Sequence, residues 1–318
     1  MVQRRRAMRL LGLSVLVLAL ALPAAAGSKI EKTLDLAPGG KLAVDTDAGS
    51  ITITGSSEPG VRVVVTSTSD EMEQRYKFDF EAGPGEVRIS GKKIDSNWHR
   101  GIPIHFEIRA PKATSVSFRT AGGSIEASGL EGMADVRTSG GSISVGSLVG
   151  NLKAHTSGGS IRLREIKGNA SVETSGGSIE ASSIAGPLEA HTSGGHIEVS
   201  DVTGDAVLRT SGGSVRATNA GGRVMAKTSG GSIEASFARG NSKGGELETS
   251  AGSVTVTLDV SANLAVDAST SAGRISTDFP MQVSGTIGSS SVRGTIGKGG
   301  EALRIHTSAG SIELKALK

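Results

Sequence analysis

From Ile125 onward, apolar and polar residues alternate in short runs. Ile125 and Ala127 alternate with Glu126 and Ser128, and Ala134 and Val136 alternate with Asp135 and Arg137. A period of two predicts strands with one buried face. The glycine-flanked stretch 129–132, GLEG, reads as a turn between them. Thr138 then opens the same pattern again. The Thr of this motif falls at 120, 138, 156, 174, 192, 210 and 228, always 18 residues apart. It is followed by Ser-Gly-Gly in six of the seven copies and by Ala-Gly-Gly at Thr120. No segment shows helical periodicity. Self-similarity at a fixed period is the mark of a solenoid. The predicted fold is all-β: a single-chain β-solenoid, or β-helix, whose 18-residue coils each hold two short strands and two turns.

The inward pairs of the second strand support direct stacking. They read Ala134/Val136, Leu152/Ala154, Ala170/Val172, Leu188/Ala190, Ala206/Leu208 and Val224/Ala226. One member is always Ala, and over the first five units its position alternates. Stacked coils would then set large over small side chains at near-constant volume per layer. The rise per coil would be about 4.8 Å, the strand spacing. A helix of three hexapeptides per coil would need apolar residues six apart, but six and twelve steps from Ile125 reach Glu131 and Arg137. The motif Thr-Ser-Gly-Gly-Ser reads as a corner. Thr points inward with its hydroxyl on backbone or on the next Thr, and the Gly pair turns tightly, with positive φ as one way to do so.

Four segments follow. Residues 1–26 carry Arg4, Arg5, Arg6 and Arg9, an apolar run over 10–22 and Ala24-Ala25-Ala26. This pattern is a secretory signal peptide, with cleavage expected after Ala26 and an apolar run too short to span a bilayer. Residues 27–115 read as an N-terminal β region that caps the first coil. Residues 116–240 are the regular repeat. In 241–318 the Thr spacing grows to 21 and later 37, which reads as longer C-terminal coils and a cap. The basic balance of the whole chain belongs to the leader. Without its four Arg, 30 Lys and Arg stand against 31 Asp and Glu, a net charge of −1. That excludes the electrostatic footprint of a nucleic-acid binder. There is no Cys, hence no disulfide and no thiolate metal site. The 46 Gly and eight aromatic residues would suit a disordered chain, but the glycines fall in register.

Catalytic and ligand-binding signals are sparse. The Gly-Gly pair is never followed by the Asp of a calcium β-roll. The stretch 294–300, GTIGKGG, lacks a Ser or Thr after Lys298 and is no phosphate loop. The residues just before each Thr form an outward column in which His155, Glu173 and His191 are successive rungs. These are metal-ligand types, yet the two His would stand about 9–10 Å apart, so the column reads as an exposed mixed-charge ladder. Outward acids Glu126, Glu180, Glu198 and Glu234 are interrupted by Ser144, Arg162 and Arg216. No catalytic, cofactor-binding or metal-binding residue is assigned, and no cofactor is expected. Five of the aromatics, Tyr76, Phe78, Phe80, Trp98 and Phe106, fall in one window. They read as the core of the cap, with Trp98 the exposed exception.

The stretch IHFEIRAPKATSVSFRTAGGSIEASGLEG, the TSGGSI series and the closing LRIHTSAGSIELKAL resemble the bacterial putative-adhesin family of β-solenoid repeat domains. The resemblance spans nearly all of the chain beyond the leader. It implies an exported, non-enzymatic, adhesin-like or structural envelope protein, located in the periplasm or at the cell surface. Its partners would be surface or envelope components, glycan or protein, with no nucleic acid and no transmembrane segment in the mature chain. The alternatives are a periplasmic β-helix enzyme acting on polysaccharide and a scaffold that self-associates end to end.

Overall fold

The structure, a computed structural model, describes residues 27–95, 101–283 and 290–317. The expected leader at 1–26 and the residue Trp98 lie outside the described residues. Within those residues the chain is a β-solenoid of 29 strands, with one helical turn at Met72–Arg75. The strands build two long sheets, of 14 and 15 strands. Each regular coil gives one long strand to the first sheet, such as Ile125–Glu131 and Ile143–Val149. It gives one short strand to the second, such as Ala134–Thr138 and Leu152–Thr156. Successive coils pair in parallel and in register. Ile143 lies between Ile125 and Ile161, and Val136 lies between Phe118 and Ala154.

The large-over-small order of the inward positions holds in the packed core. Ala134, Leu152, Ala170, Leu188 and Ala206 are consecutive neighbours on one column; Val136, Ala154, Val172, Ala190 and Leu208 are neighbours on the next. All ten are buried. The sequence reading of 129–132 as a turn is corrected here. Ile125–Glu131 is one strand, and Leu130 is buried at 2% exposure. Leu148, Ile166, Ile184 and Val202 stack on it as a further core column. The bend lies inside the strand. Gly129 has φ +69°, and the equivalent Ser147, Glu165, Ser183, Asp201 and Asn219 have φ between 49° and 57°. One left-handed residue puts two outward positions in a row and returns the next apolar residue to the core.

The corner is also built differently from the expectation. No glycine of the TSGG pairs has positive φ. The second glycine is required by proximity: a Cβ on Gly177 would lie 2.1 Å from the Gly159 carbonyl oxygen, and one on Gly195 would lie 2.1 Å from that of Gly177. The first glycine is not crowded, since a Cβ on Gly176 would be 3.5 Å from its nearest neighbour. The sequence agrees, because Ala48, Ala251, Ala272 and Ala309 take the first position in other corners while the second is always Gly. The Thr hydroxyls bond backbone and not one another. Thr174 Oγ1 donates to the Gly159 carbonyl of the preceding coil at 2.7 Å and accepts the N–H of Gly177 at 3.4 Å. Thr138, Thr156, Thr192 and Thr210 repeat the arrangement. The Ser that closes each motif accepts the N–H of its counterpart one coil on, as Ser160 Oγ does from Ser178 at 3.2 Å. His196 fills that position in TSGGH, where its Nδ1 accepts the Ser214 N–H at 2.9 Å.

At both ends the stacking order departs from chain order. The coil of Lys41–Thr46 and Ser50–Ser56 lies inside the rod, between Ser115–Thr120/Ile125–Glu131 and the outer coil of Glu86–Lys93 and His105–Pro111. At the far end, Ala302–Ala309 pairs between Gly245–Ala251 and Leu264–Ala272. The last coil in the chain is therefore a middle rung, and the segment before it is the cap. The antiparallel strands Ser291–Ile296 and Met281–Val283 complete that cap. The aromatic window lies in the outer N-terminal layers: Phe106 is fully buried, Tyr76 is 3% exposed, and Phe78 meets Phe106 edge-on at 6.0 Å.

Replacing Thr174 with Val should leave the Gly159 carbonyl and the Gly177 N–H without partners and cost about 2 kcal/mol. Gly177→Ala should cost about 3 kcal/mol or more, while Gly176→Ala should be neutral or stabilising by about 0.5 kcal/mol. Chemical denaturation of the three variants checks this order. Core alternation has its own test. Deleting one period, residues 157–174, sets Leu152 against Leu188 and Ala154 against Ala190. Deleting two periods, 157–192, keeps large over small. The longer deletion should melt at the higher temperature.

Candidate functional surface

The outward faces of the two sheets carry the polar chemistry of the molecule. On the short-strand sheet, Arg137, His155, Glu173, His191 and Arg209 stand one rung apart in the order read from the sequence. His155 Nδ1 lies 3.5 Å from Glu173 Oε2, and both side chains are about half exposed. The structure thus brings His155 and Glu173 together but gives His191 no ion pair or hydrogen bond among the described residues. In those residues no group of three or more His, Asp or Glu is placed to hold a metal ion.

Opposite charges elsewhere meet across adjacent coils. Arg162 pairs with Glu180 at 3.4 Å, Arg216 with Glu234 at 3.1 Å and Lys227 with Glu248 at 2.9 Å. Such exposed pairs contribute roughly 0.2–1 kcal/mol each. They link neighbouring coils across the outward faces. The column at the strand bend adds uncharged and mixed contacts of the same kind: Ser147 Oγ donates to Glu165 at 2.7 Å, and Asn219 Nδ2 donates to Asp201 at 2.6 Å.

One region breaks this pattern and was not singled out from the sequence. Near the C-terminal end, the outward side of the short-strand sheet is concave around Glu246, Asp267, Arg293, Arg304 and His306. Arg293 is held by Asp267 at 2.8 Å, and His306 Nδ1 meets Ser269 Oγ at 3.0 Å. Arg304 lies in register between Glu246 and Asp267 but makes no ion pair with any described residue. A free guanidinium on a rigid strand can engage a carboxylate or another planar anion through two parallel hydrogen bonds. The signal in the sequence was His306, which precedes Thr307 as His155 precedes Thr156. The irregular spacing of 37 hid the fact that these residues continue the same face.

Residues 168–315 match the family model Toastrack DUF4097. Over these residues the chain is similar to the Toastrack domain. The resemblance to a putative-adhesin family, whose function is unknown, is thereby borne out. Three solved structures are similar in arrangement. A putative cell adhesion protein from Clostridium sporogenes ATCC 15579 is 12% identical, with 92% of this chain and 100% of that chain covered, at a TM-score of 0.24. A putative adhesin from Bacteroides fragilis NCTC 9343 is 12% identical over 90% of this chain and 97% of its own, at 0.35. A putative adhesin from Parabacteroides distasonis ATCC 8503 is 11% identical over 91% and 98%, at 0.34. Likeness this distant carries no argument about ligand or activity. No curated protein matches the chain. Among the described residues, no helix is long and apolar enough to cross a membrane.

The ladder makes a direct prediction. Titrating zinc into the protein should give no saturable heat, because His155 and Glu173 supply only two ligands on an open face. Saturable binding that disappears in His155→Ala would overturn this.

Proposed function

We propose that this chain is an exported, non-enzymatic binding protein that engages a surface or envelope component along the open faces of its rod. The observation that carries the reading is the form of the polar surface. Charged side chains recur rung by rung on rigid strands, so one ligand chemistry can be met many times along one molecule. Weak contacts at successive rungs add through effective concentration. The shallow concavity around Arg304 is one such contact; with Glu246, Glu248 and Asp267 beside Arg293 and Arg304 it suits a polar group on a glycan or protein that both donates and accepts hydrogen bonds.

Export rests on the leader pattern at 1–26, and the adhesin-like reading on the family. Catalysis lies outside the proposal. The face carboxylates that would be needed for general acid–base work, such as Glu180 and Glu234, lie against Arg162 and Arg216. They do not converge across a cleft, as paired catalytic carboxylates must.

Protease treatment of intact cells, followed by blotting for this protein, tests the placement. The protein should be digested while a periplasmic control survives. Protection until the outer barrier is opened would remove the adhesin-like role and leave an envelope-internal partner.

A further inference from the structure

Every acid on the short strands of the regular repeat, from Ser115–Thr120 to Val224–Thr228, is held by a cation of the same face. Asp135 is paired with Arg137 at 3.0 Å, Glu173 with His155 at 3.5 Å and Glu189 with Arg209 at 3.5 Å. Asp45, one rung outside the repeat, is paired with Lys92 at 2.9 Å. What is left over is positive. Arg119, Lys153 and His191 make no ion pair or hydrogen bond with any described residue. Arg119 and Lys153 are exposed, and His191 is half-buried.

These three side chains stand on alternate rungs. Arg119 is on Ser115–Thr120, Lys153 on Leu152–Thr156 and His191 on Leu188–Thr192, with Ala134–Thr138 and Ala170–Thr174 between them. Two rungs span about 9.6 Å. Arg119 and His191 share the column that precedes each Thr. Lys153 stands two residues back on its own strand, in a shallow depression with Arg137, His155, Ser171 and Glu173. Two rungs beyond His191, Lys227 keeps the step but is taken by Glu248 at 2.9 Å, which ends the line. The two-coil step belongs to the packing as well as to the surface. Leu152 and Leu188 are the large residues of one core column, with Ala170 between them. The sequence follows, since KAHTSGG at 153–159 returns as EAHTSGG at 189–195. The long-strand face of the same coils has no such line; its centre carries Glu180, Glu198 and Asp201 on two successive rungs.

Cations two rungs apart on a rigid face suit a linear polyanion whose charges recur at that step. An extended peptide repeats its side chains on one face every two residues, about 6.6–6.8 Å. A nucleic-acid strand in a duplex carries one phosphate per about 3.4 Å of axis. Both fall out of step with the rungs. A glycan of alternating acidic and neutral sugars places one carboxylate on every second sugar, and two sugars of an extended chain span close to two rungs. Arg119 can take a carboxylate through two parallel hydrogen bonds, while Lys153 supplies a point charge. His191 adds a third charge only when protonated.

We propose, taking the open faces of the rod as its binding surfaces, that the short-strand face binds a linear acidic polysaccharide with one carboxylate per disaccharide, laid along the rod over Arg119, Lys153 and His191. Three weak contacts to one glycan chain add through effective concentration.

The test is fluorescence anisotropy of labelled hyaluronate oligosaccharides, whose glucuronates alternate with neutral sugars, against the purified protein at low salt. Affinity should rise with each disaccharide up to the hexasaccharide and then level off. Arg119→Gln and Lys153→Gln should each weaken hexasaccharide binding about fivefold, the loss of one exposed charge contact. His191→Arg should strengthen it at neutral pH. Arg164→Gln removes a cation of the long-strand face that also has no ion pair among the described residues, and should leave binding unchanged. Circular dichroism melting establishes that each variant is folded. Equal losses from Arg164→Gln and Lys153→Gln would reduce the effect to net charge and overturn the proposal. Dextran of equal length bound as tightly, or single-stranded DNA bound more tightly, would overturn the acidic glycan and keep the faces as binding surfaces. No binding of any of these probes, by a protein that still sediments with envelope fragments of its own cells, would overturn the acidic glycan alone; failure to sediment as well would remove the faces as binding surfaces too.

Discussion

Everything in this rod depends on how closely the backbone of one coil approaches that of the next at a single corner. The second glycine of each TSGG turn lies so near the carbonyl of its counterpart that no Cβ fits between them. The buried Thr hydroxyl then joins the two, donating to one coil's carbonyl and accepting from its own coil's N–H. Two backbone groups that would be orphaned in a buried turn are thereby satisfied by one small side chain. Because the contact is from backbone to backbone, it repeats without regard to what the outward side chains are. The faces are free to vary while the corner is not.

That constraint sets the period and the core. Once each corner lies directly on the one below, the inward residues of successive coils must stack, and the volume left for them is the same in every layer. Alternating Ala with Leu or Val on neighbouring columns fills it without voids. The bend inside the long strand supplies a further core column at the price of a left-handed residue, which Ser147, Glu165 and Ser183 adopt despite their Cβ. The insertion after Phe237 is absorbed in the same spirit: Asn241 is buried and donates to the carbonyls of Ala220 and Gly222, so three extra residues leave the stack undisturbed.

A stacked rod has ends, and the two ends here are finished differently. Both lock a later or earlier chain segment inside the stack: Lys41–Thr46 and Ser50–Ser56 at one end, Ala302–Ala309 at the other. The C-terminal end finishes in two three-residue strands, Ile275–Thr277 paired in parallel and Met281–Val283 antiparallel. The N-terminal end leaves two longer edges, Ser28–Leu34 and Tyr76–Gly83, and a cleft lined by both apolar and charged side chains. The functional surface follows from the same architecture. Rows of charged side chains suit repeated weak contacts, and the concavity around Arg304 lies where the coil lengthens and an antiparallel strand joins the sheet.

The repeat, its period, the β class and the large-over-small core were legible in the sequence, because each is a local pattern multiplied by a fixed spacing. So was the neighbourhood of His155, Glu173 and His191, which follows from register alone. Residues 129–132 misled because one left-handed residue inside a strand shifts the alternation by one, and Glu and Ser give no sign of adopting it. The glycine pair looked like a demand for unusual φ, whereas the demand is for empty space, which only the neighbouring coil defines. The crossed order of the end coils and the surroundings of Arg304 depend on pairings between residues far apart in the chain. Local sequence determined the repeating coil; tertiary packing decided where the stack begins and ends, since those choices rest on which distant edge a strand finds.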